Sequence, residues 1–303
     1  MIEEGAISVT GRARDGSVIG TVAVEQGTPP PKRVWNLPSH NAETGGTNVL
    51  SALIPGRRFL YPKSVYAVED TLRFFVKDKP NALILDFFAG SGTTAHAVMR
   101  LNRQDGGRRQ CILVTHNEVS ANDQEALREA GLRPGDPEWE QYGICEYITK
   151  PRIEAAMTGR TPSGEPIEGD YKFTDEFPMT EGFEESVEFF TLTYEPPVLI
   201  GHNEAFAHIA PLLWLRAGAL GRRIDDLPQD GWAVAETYGV LMDLDQATSF
   251  CQAVGNSEDL RIAYIVTDDD RRFQAVARRL PDSVEPVRLY ESYWANFQFA
   301  NGN

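Results

Sequence analysis

One stretch of the sequence decides the fold: Leu83-Ile84-Leu85-Asp86-Phe87-Phe88-Ala89-Gly90-Ser91-Gly92-Thr93-Thr94. The apolar run at 82–85 is typical of a parallel strand that is covered on both faces. The apolar residues that follow the stretch recur at helical spacing as far as Leu101. Between strand and helix, Gly90 and Gly92 allow the backbone to turn sharply and a ligand to lie against it. We therefore predict a strand, a glycine turn and a helix whose first amides point at a ligand.

Two acids follow the two strands that we predict here. Asp86 ends the first strand, at the edge where open parallel sheets place side chains that contact ligands. The run Cys111-Ile112-Leu113-Val114 predicts a second buried strand, and Glu118 follows it. An acid at that position can accept hydrogen bonds from both ribose hydroxyls of a nucleoside. The alternative is that Glu118 caps the next helix.

The glycine pattern is shared by several cofactor classes. Gly90-x-Gly92-x-x-Ala95 satisfies the dinucleotide fingerprint in its alanine-ended form, so by itself it does not separate nicotinamide from other nucleoside cofactors. The full string from Asp86 to Thr94 resembles the cofactor-binding motif of amino-methylating DNA methyltransferases. A glycine turn without a ligand is the alternative.

The wider block from Tyr61 to about Ile153 is similar to the modification subunits of type III systems, which are adenine-specific enzymes of the β-type motif order. The resemblance implies S-adenosyl-L-methionine (AdoMet) as the cofactor. It also implies the residues that hold AdoMet, which are Lys63, Ser64, Asp86, Phe87, Phe88, Ala89, Gly90, Ser91, Gly92, Thr93, Thr94 and Glu118.

Lys63 and Ser64 begin the helix that precedes the predicted strand at 82–85. Ser64 is placed to be the N-cap of a helix that begins at Val65 and that Pro80-Asn81 ends. The family has a comparable lysine-containing element at this point, which implies that the turn lies by the methionine end of AdoMet. Lys63 would then face the cofactor's carboxylate, and the alternative is an ordinary surface lysine.

The family's catalytic motif is missing from this sequence. Methylating an exocyclic amine requires a flipped base, a stacking aromatic ring and carbonyl acceptors, which the family supplies with an Asp-Pro-Pro-Tyr type motif. The nearest string, Glu195-Pro196-Pro197-Val198, has valine in place of the aromatic residue. It also follows the glycine turn, whereas the family's motif precedes it. We therefore predict no catalytic residue and interpret the chain as the C-terminal half of a β-type enzyme. Because it begins with Met1, we expect a piece of a split enzyme, the product of a disrupted gene, or a subunit that kept only cofactor binding.

Composition limits the other functions. The net charge is -15, from 44 acids and 29 bases, so duplex DNA repels the chain unless basic residues gather on one face. Three widely spaced cysteines without a CxxC pair argue against disulfides and zinc, and we predict no metal site. No apolar run is long enough to span a membrane and no signal peptide is evident, so we expect a cytoplasmic protein.

We predict an α/β fold in which a partial Rossmann-like AdoMet-dependent methyltransferase domain is followed by a smaller α/β domain. Residues 1–60 are expected to be the irregular tail of a target-recognition region with a hairpin across Asp15-Gly16, and residues 61–160 the AdoMet-binding half-domain. Residues 161–186 are expected to form a linker, and residues 187–303 an interaction domain with a partly parallel sheet. Its predicted strands are Phe189–Tyr194, Val234–Leu241, Ile262–Val266 and Val284–Leu289.

These features lead to one functional hypothesis and two rivals. The chain is expected to be the cofactor half of a DNA (adenine-N6) methyltransferase of a restriction-modification or defence system, with cytosine-N4 methylation left open. Its expected partners are an upstream-encoded N-terminal half that carries the catalytic motif, double-stranded DNA bound through the assembled complex, and a restriction subunit. The rivals are a non-catalytic scaffold subunit and a nicotinamide dehydrogenase.

Overall fold

The computed structural model describes residues 7–15, 18–23, 34–192, 202–226 and 229–289. The chain is a mixed α/β protein with small sheets, and it divides into two compact units, residues 1–188 and 189–303. Within the described residues, no helix is both long and apolar enough to cross a membrane.

The first unit begins with the predicted hairpin, which the structure confirms. Strands β1 (Ile7–Arg12) and β2 (Val18–Ala23) pair in antiparallel orientation. A short helix, α1 (Asn48–Leu53), follows and buries Leu53 and Ile54.

The centre of the first unit is the predicted helix-strand-helix-strand order. Helix α2 (Val65–Val76) is capped by the Ser64 side chain, as its position predicted, and packs against α3 (Thr93–Asp105). Strands β3 (Leu83–Asp86) and β4 (Gln110–Leu113) pair in parallel. The glycine turn lies between β3 and α3.

The prediction that this first strand, β3, is covered on both faces is wrong for the described residues. Leu83 and Leu85 are 62% and 61% exposed, and they alternate with Ile84 and Asp86, which are half-buried. The described part of this sheet has two strands only, with α3 packed nearby and an uncovered opposite face.

Three helices follow β4. Helix α4 (Ala121–Glu129) begins at its N-cap Ser120, and the single turn α5 (Pro137–Glu140) buries Trp139. A wide π-type turn at Cys145–Thr149 then leads into α6 (Lys150–Thr158).

Residues 161–186, which the sequence predicts to be a linker, are packed onto the first unit. The reason is a set of apolar side chains that the Gly- and Pro-rich composition concealed; they are buried, and they are Ile167, Tyr171, Phe177, Met179 and Phe183. The backbone amide of Lys172 donates to the Tyr66 hydroxyl at 2.9 Å, which ties the segment to α2.

A buried ion pair joins α2 to α3. The Arg100 guanidinium donates to the Glu69 carboxylate at 2.7 Å, and both side chains are almost completely buried. The guanidinium also lies over the rings of Tyr66 and Tyr171, 5.0 and 4.8 Å from their centroids. Removing one partner of such a buried pair typically costs about 3–5 kcal/mol, because the other charge is left uncompensated.

The second unit is a four-stranded sheet with helices on both faces. Its elements in chain order are α7 (His202–Arg216), β5 (Trp232–Val234), β6 (Tyr238–Leu241), α8 (Ala247–Gly255), β7 (Ile262–Val266), α9 (Asp270–Ala277) and β8 (Glu285–Leu289). Strands β6, β7 and β8 are parallel and β5 is antiparallel, which confirms a partly parallel sheet.

Two strand predictions in this unit are wrong. The run Val234–Leu241 is broken by a turn into β5 and β6, where Ala235 donates to the carbonyl of Tyr238 at 2.8 Å. Of the predicted strand Phe189–Tyr194, residues 189–192 are irregular and the rest lies outside the described residues.

His96 on α3 is a buried neutral base. Its Nε2 atom is 2.7 Å from the Tyr171 hydroxyl. Burial, followed by the nearby charges of Arg152 and Arg100, lowers the pKa of His96 well below its usual value. The folded protein therefore does not take up the proton that an unfolded histidine binds below about pH 6.5.

We expect this difference to make the first unit less stable in mild acid. As the pH falls from about 7 to about 5.5, the unfolded state gains a proton at His96 that the folded state lacks, so the free energy of unfolding falls by up to about 1.4 kcal/mol per pH unit. Urea unfolding at several pH values measures the slope. The variant His96→Gln keeps every carboxylate and lacks only this imidazole, so its free energy of unfolding should change less with pH. An equal change in the two proteins would contradict the assignment.

Candidate cofactor site

The glycine turn lies at the carboxyl end of the parallel pair of strands. Val114 donates to the Asp86 carbonyl at 2.8 Å, and Ala89 donates back to the Val114 carbonyl at 3.1 Å. The turn is therefore fastened to the end of β4 as well as to β3. This is the edge at which parallel sheets place ligands.

Asp86 and Thr94 hold each other across the turn. The Thr94 hydroxyl donates to Asp86 Oδ2 at 2.6 Å, and the Phe88 amide donates to Oδ1 at 3.2 Å. The carboxylate thus fixes the start of the turn to the first turn of α3. Both residues were predicted site residues, and the structure brings them together.

Phe87 and Phe88 form the outer side of the turn. Their rings meet edge to face with centroids 5.6 Å apart, and both side chains are largely exposed. Ala89 is buried beneath them. Exposed aromatic rings at the edge of a ligand-binding turn offer apolar surface to a planar ligand.

Ser91 and Thr93 turn their side chains into the protein and away from the ligand side. The buried guanidinium of Arg152 donates to Ser91 Oγ at 2.9 Å, to the Ser91 carbonyl at 3.2 Å and to Thr93 Oγ1 at 2.7 Å. Burial lowers the pKa of Arg152 to about 10, so it remains charged at neutral pH. Arg152 therefore engages the hydroxyls of Ser91 and Thr93, and the predicted part of these two residues in cofactor binding stays a prediction.

Both glycines of the turn adopt left-handed backbone conformations, with φ of +52° at Gly90 and +76° at Gly92. At Gly92, packing also leaves little room for a side chain. A β-carbon at Gly92 would lie 3.2 Å from Thr149 Cγ2 and 3.4 Å from the side chain of Ile153. The space beside Gly92 is therefore filled by the π-type turn and α6, and cofactor binding at the Gly92 backbone stays a prediction.

Thr149 is a structural residue of the turn that the sequence analysis missed. Its hydroxyl donates to the Gly90 carbonyl at 2.5 Å and lies 3.1 Å from the Ile144 carbonyl. Together with Arg152, it fixes the back of the glycine turn. No local pattern marks either residue, because each is about sixty positions from the turn in sequence.

Glu118 presents an exposed carboxylate at the far side of the β4 edge. Its side chain is 71% exposed, and Oε2 is 3.6 Å from His116 Nε2. The helix that follows is capped by Ser120, whose hydroxyl accepts from the Asp123 amide at 3.3 Å. The alternative that Glu118 caps this helix is therefore wrong, and its carboxylate remains available to a ligand.

Asn117 holds the backbone around Glu118. Its amide nitrogen donates to the Glu140 carbonyl at 2.7 Å, and its amide oxygen accepts from Cys145 at 3.0 Å. A β-carbon on Gly143 would come within 2.1 Å of this side chain, so glycine is required there. The Ile144 amide also donates to the Glu118 carbonyl at 3.0 Å.

Arg57 and Phe59 bring a third segment to the site. Arg57 donates to the Tyr147 carbonyl at 2.7 Å and lies over that residue's ring, 4.6 Å from its centroid. Phe59 Cζ would be 3.5 Å from a β-carbon on Gly90. The segment at 57–59 therefore passes beside the glycine turn, which the sequence analysis did not predict.

Ser64 and Lys63 have different environments. The Ser64 hydroxyl donates to the Ser39 carbonyl at 2.7 Å and accepts from the Ala67 amide, and the side chain is buried. Its predicted role as the N-cap of α2 is therefore confirmed, and its contact with a ligand stays a prediction. Lys63 is exposed, two residues after Tyr61, whose φ of +59° is unusual for a residue other than glycine.

The described residues contain no group of three His, Cys, Asp or Glu side chains that could hold a metal ion. Asp269, in the acidic run before α9, caps that helix by accepting from the amides of Arg271 and Arg272 at 2.7 and 3.2 Å.

The contrast between two glycines tests how the turn is packed. Gly92 and Gly106 both have left-handed φ values, +76° and +68°, but only Gly92 has neighbours within 4 Å of the position that a β-carbon would take. Gly92→Ala and Gly106→Ala should share a backbone cost of about 1–2 kcal/mol. Gly92→Ala should lose roughly 1–3 kcal/mol more from overpacking, measured by thermal and urea unfolding. Equal losses would contradict the packing described here.

Comparison with known proteins identifies the region that contains the site. Residues 6–143 match the family model for DNA methylases. Over 138 residues the chain is 40% identical to the Mod subunit of the type III restriction-modification enzyme EcoPI of Escherichia phage P1, an alignment that covers 46% of this chain and 19% of that protein.

Two further relatives agree. The StyLTI Mod subunit of Salmonella typhimurium, also type III, is 38% identical over 124 residues, which is 41% of this chain and 17% of that protein. The type II methyltransferase M.KpnI of Klebsiella pneumoniae is 42% identical over 86 residues, which is 28% of this chain and 20% of that protein. The chain thus matches about a fifth of the length of these relatives. Over residues 6–143, this chain matches the family model for DNA methylases and is similar to the modification subunits of type III restriction-modification enzymes.

Proposed function

We propose that this chain supplies the AdoMet-binding half of a site-specific DNA (adenine-N6) methyltransferase of a restriction-modification or defence system. The observation that carries the proposal is a braced glycine turn at the carboxyl end of a parallel strand, inside a region that matches DNA methylases. The acid-Pro-Pro-aromatic motif comes from a segment outside this sequence, which we assign to an upstream-encoded N-terminal half.

The residues present suit AdoMet. The first amides of α3 have no carbonyl partner within the helix, so they can donate to oxygens of the ligand. Glu118 offers an exposed acceptor at the end of β4, where ribose hydroxyls would lie. AdoMet supplies the methyl group on a positively charged sulfur; the chain's own residues bind and orient it.

The backbone of the turn is fixed before any ligand binds. Thr149 and Arg152 hold the turn from behind, and Asp86 holds it at its start. A rigid turn loses little conformational freedom on binding, which favours affinity. The exposed rings of Phe87 and Phe88 remain available to contact the ligand or a partner.

Duplex DNA is bound through the assembled complex in this proposal. The net charge of -15 opposes a polyanion. Two arginines that belong to Arg-Arg pairs in the sequence make hydrogen bonds within the chain. Arg109 donates to the Val76 carbonyl and to the Asp105 carboxylate, and Arg222 donates to the Val234 carbonyl. These two side chains are therefore not free to bind DNA phosphates. The second unit is the proposed site of assembly with a restriction subunit.

Loss of the Glu118 carboxylate should weaken AdoMet binding without unfolding the protein. A charged acceptor typically contributes about 1.5–3 kcal/mol, so Glu118→Ala should lower affinity roughly tenfold to a hundredfold by calorimetry. Glu129→Ala, an exposed glutamate on α4, is the matched control and should bind normally. Unchanged affinity in Glu118→Ala would remove the ribose role. No binding by the wild-type chain would favour the scaffold alternative.

The chain alone should transfer no methyl group to DNA. An exocyclic amine is a poor nucleophile until acceptors orient it toward the methyl carbon, and the sequence contains no such motif. A tritiated-methyl assay on unmethylated genomic DNA measures this. Adding the part of the EcoPI Mod subunit that precedes its match to this chain should restore incorporation. Robust transfer by the purified chain alone would overturn the split arrangement.

A further inference from the structure

Arg152 carries a buried positive charge that no carboxylate neutralises within the described residues. Two other arginines of the first unit are buried as well, and each has an acidic partner: Arg100 pairs with Glu69 at 2.7 Å and Arg109 pairs with Asp105 at 2.8 Å. The guanidinium of Arg152 makes no such ion pair in the described part of the chain, and its Nε atom is buried without a hydrogen-bond partner. Its charge is therefore treated differently from theirs.

The partners that Arg152 does have are neutral. Its Nη1 atom donates to Ser91 Oγ at 2.9 Å, to the Ser91 carbonyl at 3.2 Å and to Thr93 Oγ1 at 2.7 Å. Its Nη2 atom lies 3.5 Å from Nδ1 of His96, whose lowered pKa keeps that ring uncharged at neutral pH. Dipoles of this kind solvate a buried charge but cancel none of it, and a buried charge without a counter-charge is unfavourable.

This charge lies directly behind the start of α3. Ser91 and Thr93, which Arg152 holds, flank Gly92, the N-cap of this 13-residue helix. The helix dipole places partial positive charge at the same end, where the first amides have no carbonyl partner within the helix. Arg152 adds a full charge from the buried side. An anionic group on the open side of the turn would therefore be attracted by both.

The two acids of the candidate site do not neutralise Arg152. The Asp86 carboxylate accepts from the Thr94 hydroxyl at 2.6 Å and from the Phe88 amide at 3.2 Å, at the start of the turn. Glu118 is exposed at the end of β4, with Oε2 3.6 Å from His116 Nε2. Neither forms an ion pair with Arg152 among the described residues, so the counter-charge is left to a ligand.

We infer that Arg152 determines cofactor specificity: its charge, acting through the glycine turn, makes the site select a cofactor that bears a carboxylate there. This inference rests on the proposed function, because AdoMet carries such a carboxylate at its methionine end. The amides of the turn supply hydrogen bonds, and Arg152 supplies the charge. Arg152 is buried behind the turn and does not touch the cofactor, so it is a positioning residue.

A purely structural role for Arg152 makes a different prediction. If the guanidinium served only to brace the turn, its loss would weaken the binding of every cofactor analogue by the same factor. A charge that selects a carboxylate affects only the analogues that have one. The ratio of two affinities therefore separates the two roles, even where the turn is loosened.

Calorimetry with AdoMet and decarboxylated AdoMet measures this ratio. The two ligands share the adenosine and the sulfonium and differ in the carboxylate, so the wild type should prefer AdoMet. Arg152→Gln should lower that preference by about tenfold, the order expected for removing a unit charge from partly desolvated surroundings. Arg152→Lys keeps the charge and should keep the preference, although the loss of hydrogen bonds to the turn lowers both affinities.

Two further variants serve as control and as a second test. Arg160→Gln removes the same charge at an exposed arginine after α6 and should leave the preference unchanged. His96→Glu places a carboxylate beside Nη2 of Arg152, while the turn is held by Nη1, so it neutralises the charge with Arg152 in place. It should lower the preference, whereas the neutral His96→Gln should not. This pair decides the matter if Arg152→Gln does not fold.

The outcomes distinguish this inference from the proposed function. An unchanged preference in Arg152→Gln, or in His96→Glu where Arg152→Gln is unfolded, would overturn the inference and leave the proposed function, since AdoMet still binds. A fall in preference in Arg152→Lys as large as in Arg152→Gln would also overturn it, because charge would not be the cause. Failure of the wild type to bind either ligand would reject the proposed function, and the inference with it.

Discussion

The buried guanidinium of Arg152 is the constraint on which the first unit depends. It holds Ser91 and Thr93 from inside the protein, and it lies against the buried His96, whose ring contacts Tyr171. One charged group therefore links the glycine turn, α3, α6 and the segment that follows α6. Such a group is costly to bury, and its hydrogen bonds to the turn offset that cost while fixing the turn's shape. The other side of the turn carries the exposed rings of Phe87 and Phe88.

In the first unit, the glycine turn is packed from behind, whereas one face of the β3–β4 sheet is exposed among the described residues. Behind the turn, Thr149 and Arg152 satisfy the backbone and leave no space at Gly92. Across the sheet, Leu83 and Leu85 have no cover among the described residues.

The net charge of the chain opposes direct contact with DNA. A chain with a net charge of -15 gains nothing from approaching DNA by itself. Arg100 and Arg109, which might have been counted as basic surface, are buried and bonded to Glu69, Asp105 and the Val76 carbonyl. These two arginines thus contribute to the architecture of the first unit.

Local sequence determined the order and type of the central elements. The spacing of apolar residues gave β3, α3 and β4, Ser64 marked the start of α2, and the positions of Asp86 and Glu118 followed from the ends of the strands. Tertiary structure decided which side of the turn each residue serves. Ser91, Thr93 and Gly92 face residues about sixty positions away, a separation that no local period reports. It also decided that residues 161–186 pack on the first unit and that one face of β3 is bare, because burial depends on which surfaces meet, and the apolar pattern of a strand is the same whether or not its partner is present.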